Sequence, residues 1–135
     1  MLAISLNLHG TEEEIDMVPK NDFIALHPND LEWEDDTSSG LPKGVKRKIL
    51  FQDPETGRRD LLVKFPPGYK EPAHVHEASH GNIILEGKMI VGGVELGPGD
   101  YIFGWDKEHG PFYYPEGCTL FTVTLGKSMF HKYKK

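Results

Sequence analysis

From residue 45 onward the chain is written as short apolar runs cut by glycine and proline at intervals of roughly 8–12 residues, a spacing that admits few architectures. The runs lie at 45–51, 60–65, 83–85, 88–91, 94–96, 101–103, 111–114 and 119–125. Between the first two sits Asp53-Pro-Glu-Thr-Gly57, which is turn chemistry. Glu86-Gly87 and Gly92-Gly93 offer two-residue hairpin turns in which glycine supplies a positive φ. The 15 glycines and 10 prolines provide the punctuation, and no long amphipathic helix is written anywhere. The pattern therefore predicts an all-β fold, a barrel or a sandwich.

A chain of 135 residues has room for one hydrophobic core and one domain. Within it, residues 45–135 are expected to form the barrel. Residues 1–44 form an N-terminal arm, acidic and loop-like from residue 10, expected to pack on it, by pairing with a sheet edge or with a second subunit. A net charge of −6 with scattered basic residues leaves no nucleic-acid footprint. No apolar run reaches the about 18 residues a membrane-spanning helix needs. The first residues lack a basic, cleavable leader, and the single cysteine, Cys118, makes no internal disulfide; a cytoplasmic protein is expected. Neither a glycine-rich phosphate loop nor a Gly-x-Ser-x-Gly elbow occurs.

Four of the seven histidines fall between positions 74 and 109: His74, His76, His80 and His109. His74 and His76 are two apart, which on a strand puts both imidazoles on one face, able to converge on a metal ion. A straight strand would carry His80 about 13 Å past His76, far beyond a ligand bond of about 2 Å. A turn through residues 77–79 is therefore expected, with His80 opening the next strand. Surface strand positions for His74 and His76, a solvated loop position for His109, and a backbone-bonded position for His80 outside the ligand set are the plainer alternatives.

The stretch Gly68-Tyr-Lys-Glu-Pro-Ala-His74-Val-His76-Glu-Ala-Ser-His80-Gly-Asn-Ile-Ile-Leu-Glu-Gly87 resembles the first cupin motif, in which Gly, His-x-His, Glu and Gly recur at fixed spacing. His80 stands where that motif has Glu. Pro98-Gly-Asp100 and His109 resemble the second motif, from which Gly104, Asp106 and Tyr113 depart. Residues 50–57 and 61–68 are similar to the cupins related to anti-sigma factor cupins and acetylacetone-cleaving dioxygenases. The resemblance covers residues from about 45 to 126. It implies a small antiparallel β-barrel of the jelly-roll kind with about six to eight strands, one divalent metal ion on His74, His76, His109 and, by position, His80, and a homodimer.

Imidazole ligands suit iron, zinc, copper and nickel alike. Ferrous iron is the expected metal from the resemblance, with zinc, nickel or manganese as alternatives. With His80 in place of Glu, an all-histidine set leaves the full charge on the ion and favours an anionic or enolisable small-molecule chelator as substrate. Three functions follow. The first is a ferrous dioxygenase cleaving a carbon–carbon bond of a β-dicarbonyl or hydroxylated aromatic ketone. The second is a redox-neutral zinc or nickel cyclase, isomerase or lyase, and the third a non-catalytic metal- or ligand-sensing module. Asn82 shares parity with His80, Glu108 flanks His109, and Tyr113 replaces a motif asparagine. These are the candidate residues beside the metal, with a satisfied amide, a solvated carboxylate and a packing aromatic as the alternatives.

Overall fold

The expected runs become strands in the computed structural model, which describes residues 23–37, 42–75, 78–105 and 107–125, the side chains of Val75 and His109 apart. The chain separates into two compact units, residues 1–32 and 33–135. The described part of the first holds one 3-10 turn, Pro28–Asp30, with proline at its start where a missing N–H costs nothing.

The second unit is all β. Its strands are β1 (Glu34–Asp35), β2 (Lys46–Asp53), β3 (Arg58–Phe65), β4 (Tyr69–Glu71), β5 (His74–Val75), β6 (Ser79–Gly87), β7 (Met89–Val91), β8 (Val94–Leu96), β9 (Tyr101–Gly104), β10 (Glu108–His109), β11 (Phe112–Tyr114) and β12 (Cys118–Leu125). They form a six-stranded sheet in the order β1-β2-β3-β12-β6-β9, a four-stranded sheet β4-β11-β7-β8, and a short pair β10-β5, every pairing antiparallel. The count among the described residues exceeds the expected six to eight. The additional strands β1, β4, β5 and β10 are two or three residues long, too short for a hydrophobic period to announce them.

Local chemistry explains the connections. Asp53 closes the β2–β3 hairpin by accepting hydrogen bonds at 3.0 Å from both the Glu55 amide and the Thr56 hydroxyl. Gly92 and Gly93 join β7 to β8 with φ of 57° and 78°, the doubly positive pair of a type I′ hairpin. The core is drawn from both large sheets: Phe65, Ile84, Cys118 and Leu120 from one, Tyr69, Met89 and Tyr114 from the other. Phe65 and Tyr114 stack across it with ring centroids 4.0 Å apart and planes within 7°. Cys118 is buried, and burial pushes its thiol up to about 12.

Strand β6 carries a bulge. Its register against β12 shifts between Ile84 and Glu86, so Leu85 is the extra residue. Up to Ile84 the parity set by His80 holds, and Ile84 is fully buried. After the bulge Glu86 is exposed, one residue before Gly87.

Candidate metal centre

Antiparallel register lines the inward residues of the large sheet into rows. Arg59, Thr124, His80 and Gly104 are successive partners across β3, β12, β6 and β9. The next inward row is Leu61, Thr122, Asn82 and Ile102, and the next Val63, Leu120 and Ile84. Polarity thus falls row by row. From the facing sheet, Glu71, Phe112 and Val91 form a row across β4, β11 and β7. These walls, Ile84 apart, line a cavity of about 510 Å³, polar towards His80 and apolar towards Leu120. That volume suits a small molecule.

His74 and His80 both line this cavity. The Nδ1 atom of His74 is 2.6 Å from the Pro72 carbonyl oxygen. A carbonyl only accepts, so Nδ1 carries the proton and donates it, and in the neutral ring Nε2 keeps the lone pair. On the far side of the ring, Nε2 is 3.6 Å from Oε2 of Glu71. His80 has its Nδ1 3.3 Å from the Thr124 hydroxyl, its cross-strand partner. The backbone of His109 pairs in register with that of His74, bringing the two ends of the candidate set onto adjacent strands. His76 lies outside the described residues, as does residue 77 of the expected turn. The strand after it, β6, opens at Ser79, one residue before His80.

Of the other candidates, Asn82 lines the cavity. Its Oδ1 accepts a 2.7 Å bond from the Thr122 hydroxyl, and its Nδ2 donates to the Ile102 carbonyl at 3.3 Å. Glu108 is exposed on β10 and does not line the cavity. Tyr113 is 38% exposed, with the Lys70 ammonium 5.7 Å from its ring centre. Alternation along β11 turns Phe112 and Tyr114 inward and Tyr113 out. Of the aromatics around residue 109, Phe103 and Phe112 join Tyr114 on the wall, whereas Tyr101 and Trp105 are exposed.

The surround is not all-histidine, because Glu71 supplies a carboxylate that the motif comparison passed over. It is 7% exposed, lines the cavity, and accepts a 2.8 Å hydrogen bond on Oε1 from the Tyr114 hydroxyl. Burial pushes the Glu71 carboxyl up, opposed by the Tyr114 hydrogen bond and by His74. The Tyr114 phenol is pushed up as well, by burial first and then by the charge of Glu71. The available signal was parity: Glu71 is two residues from the buried Tyr69 on one strand and so shares its inward face.

Imidazole and carboxylate are donor types that a divalent cation takes. One imidazole is anchored through its second nitrogen on a carbonyl, another shares its cavity, and a buried carboxylate stands beside the first. Among the described residues no three histidine, cysteine, aspartate or glutamate side chains complete a ligand set by themselves.

The sequence pattern of the ChrR cupin-like domain matches residues 21–128. No protein of curated function matches the chain. Among solved structures, a provisionally assigned acetylacetone dioxygenase from Methylibium petroleiphilum PM1 is similar over 77% of both chains, with a TM-score of 0.66 and 20% identity. An acetylacetone dioxygenase from Acinetobacter johnsonii is similar over 77% of this chain and 73% of its own, with a TM-score of 0.62 and 20% identity. The polyketide cyclase RemF from Streptomyces resistomycificus covers 76% of this chain and 79% of its own, with a TM-score of 0.60 and 22% identity. At such identities the structures speak for the fold, and it is the match over residues 21–128 that makes this chain a member of the cupin family, of the ChrR cupin-like type.

Proposed function

We propose that the chain is a metal-dependent cupin enzyme, in the first place a ferrous dioxygenase that cleaves a carbon–carbon bond of a β-dicarbonyl or a hydroxylated aromatic ketone. The observation that carries this reading is the cavity of about 510 Å³, lined by His74, His80 and Glu71 beside apolar side chains of both large sheets. His74, His76, His80 and His109 would hold one divalent ion there, iron by preference and zinc, nickel or manganese as alternatives. When bound, the ion supplies Lewis acidity towards an enolate and, as iron, redox chemistry with dioxygen.

The chain's own residues prepare the site. The Pro72 carbonyl keeps the His74 proton on Nδ1 and so reserves Nε2 for ligation. Thr122 and the Ile102 carbonyl hold the Asn82 amide in one orientation, so a ligand meets a fixed amide rather than a rotating one. Val63, Leu120 and Phe112 offer dispersion contacts to a carbon skeleton. Likeness in fold to the two acetylacetone dioxygenases supports the substrate class.

A redox-neutral zinc or nickel cyclase, isomerase or lyase is the second reading, favoured by the aromatic wall of Phe103, Phe112 and Tyr114 and by the likeness to a polyketide cyclase. Anaerobic loading with Fe²⁺, followed by oxygen uptake with a panel of β-diketones, separates the two. Substrate-dependent oxygen consumption is the expected result. Turnover or binding with zinc or nickel and no oxygen uptake with iron would displace the dioxygenase reading in favour of redox-neutral chemistry or of a sensing module.

A further inference from the structure

Position 80 carries histidine where the cupin motif has glutamate, and a different carboxylate reaches the cavity from another strand. We propose that Glu71 is a ligand of the metal held by His74, restoring to the centre the carboxylate that the motif has lost. This inference rests on the reading that the site binds a metal.

Geometry supports it first. Oε1 of Glu71 is engaged by the Tyr114 hydroxyl at 2.8 Å, which leaves Oε2 as the oxygen turned to His74. At 3.6 Å, Oε2 and Nε2 are too far apart for a hydrogen bond. Two ligands of one ion, each about 2.1 Å from it, stand about 3.0–3.4 Å apart along an octahedral or tetrahedral edge. The observed separation is within a few tenths of an ångström of that range.

Donor chemistry supports it second. With Nδ1 turned to the Pro72 carbonyl, Nε2 is the ring nitrogen that faces the Glu71 oxygen. A divalent cation between the two would take one nitrogen and one oxygen donor from a site held away from water. Glu71 is only 7% exposed, so solvent does little to screen the pair. Tyr114 then acts as a positioning residue, because its hydroxyl fixes which oxygen is free. A centre with Glu71 carries one unit less positive charge than four neutral histidines would leave, and it is a correspondingly weaker Lewis acid.

Cobalt(II) is a suitable probe because its visible absorption reports its donors. The full chain and Glu71→Gln are titrated with Co²⁺ alone, and far-UV circular dichroism of the metal-free forms checks that the two folds agree. Glutamine keeps the volume of the side chain and an oxygen for Tyr114 to donate to. The expected result is about one Co²⁺ per wild-type chain. For Glu71→Gln we expect affinity more than about 100-fold weaker, beyond the cost of losing an outer hydrogen bond, together with a shifted visible band. Unchanged affinity, or weaker affinity with an unchanged band, would overturn ligation by Glu71 while leaving the metal centre standing. Failure of the wild-type chain to bind Co²⁺ at all would overturn both.

Discussion

The Tyr114 hydroxyl donates a 2.8 Å hydrogen bond to Glu71 across two strands of the smaller sheet, joining residues 43 apart in sequence, and both partners are buried. The bond ties the core of the barrel to its candidate metal centre. The ring of Tyr114 stacks on Phe65 in the core, while its hydroxyl reaches the carboxylate beside His74. Tyr114→Phe keeps the stacking and removes the donor alone. The variant should lose about 1–3 kcal/mol of stability in urea unfolding of the metal-free protein, because a buried carboxylate then lacks its hydroxyl partner.

Gly87 is held to glycine by two constraints at once. Its φ is +83°, and an added Cβ would lie 2.1 Å from the Gly117 carbonyl oxygen. Gly92 has φ +57° with nothing within 4 Å of a Cβ, so it isolates the conformational cost. Gly92→Ala should cost about 1 kcal/mol, and Gly87→Ala clearly more, since β6 or β12 must move to relieve the clash. Thermal unfolding of the two variants side by side checks the order. Equal losses would mean that the close approach of the Gly87 and Gly117 backbones contributes nothing.

Much of this fold is legible in the sequence, because the β strands of four or more residues are each marked by β-branched or aromatic runs and, the start of β6 apart, bounded by Gly, Pro or Asp. The residues lost to sequence reading are those whose role is set by a neighbour far away in the chain. Glu71 stands in a three-residue strand and becomes a site residue only because Tyr114 and His74 close around it. Tyr113, chosen for its place in a motif, is turned outward by strand alternation, and Glu108 is likewise exposed. The bulge at Leu85 resets parity before Glu86, an irregularity that hydrophobic periodicity does not encode.

Cys118 is 4% exposed, and burial lifts its thiol to about 12 from an ordinary 9.0. The native protein should therefore react with a thiol reagent at pH 8 far more slowly than the urea-unfolded chain. The fold favours the neutral thiol, so its contribution is fully present below pH 9 and is lost as pH rises from about 9 towards 12. The phenol of Tyr114, shifted the same way, adds to that alkaline loss. Denaturant midpoints measured at pH 8 and pH 10.5 should fall with pH. Cys118→Ser should flatten the early part of that fall, and an unchanged slope would remove the thiol from the account.

The central claim is that the imidazoles lining this cavity hold a metal ion, and elemental analysis of protein purified without added metal tests it most directly. The wild-type chain should carry close to one divalent transition-metal ion, and His74→Ala, which removes the imidazole anchored on Pro72, should carry almost none while remaining folded. A wild-type chain free of metal that also fails to take up Fe²⁺, Zn²⁺ or Ni²⁺ would contradict the account, as would a His74→Ala variant that retains its full complement.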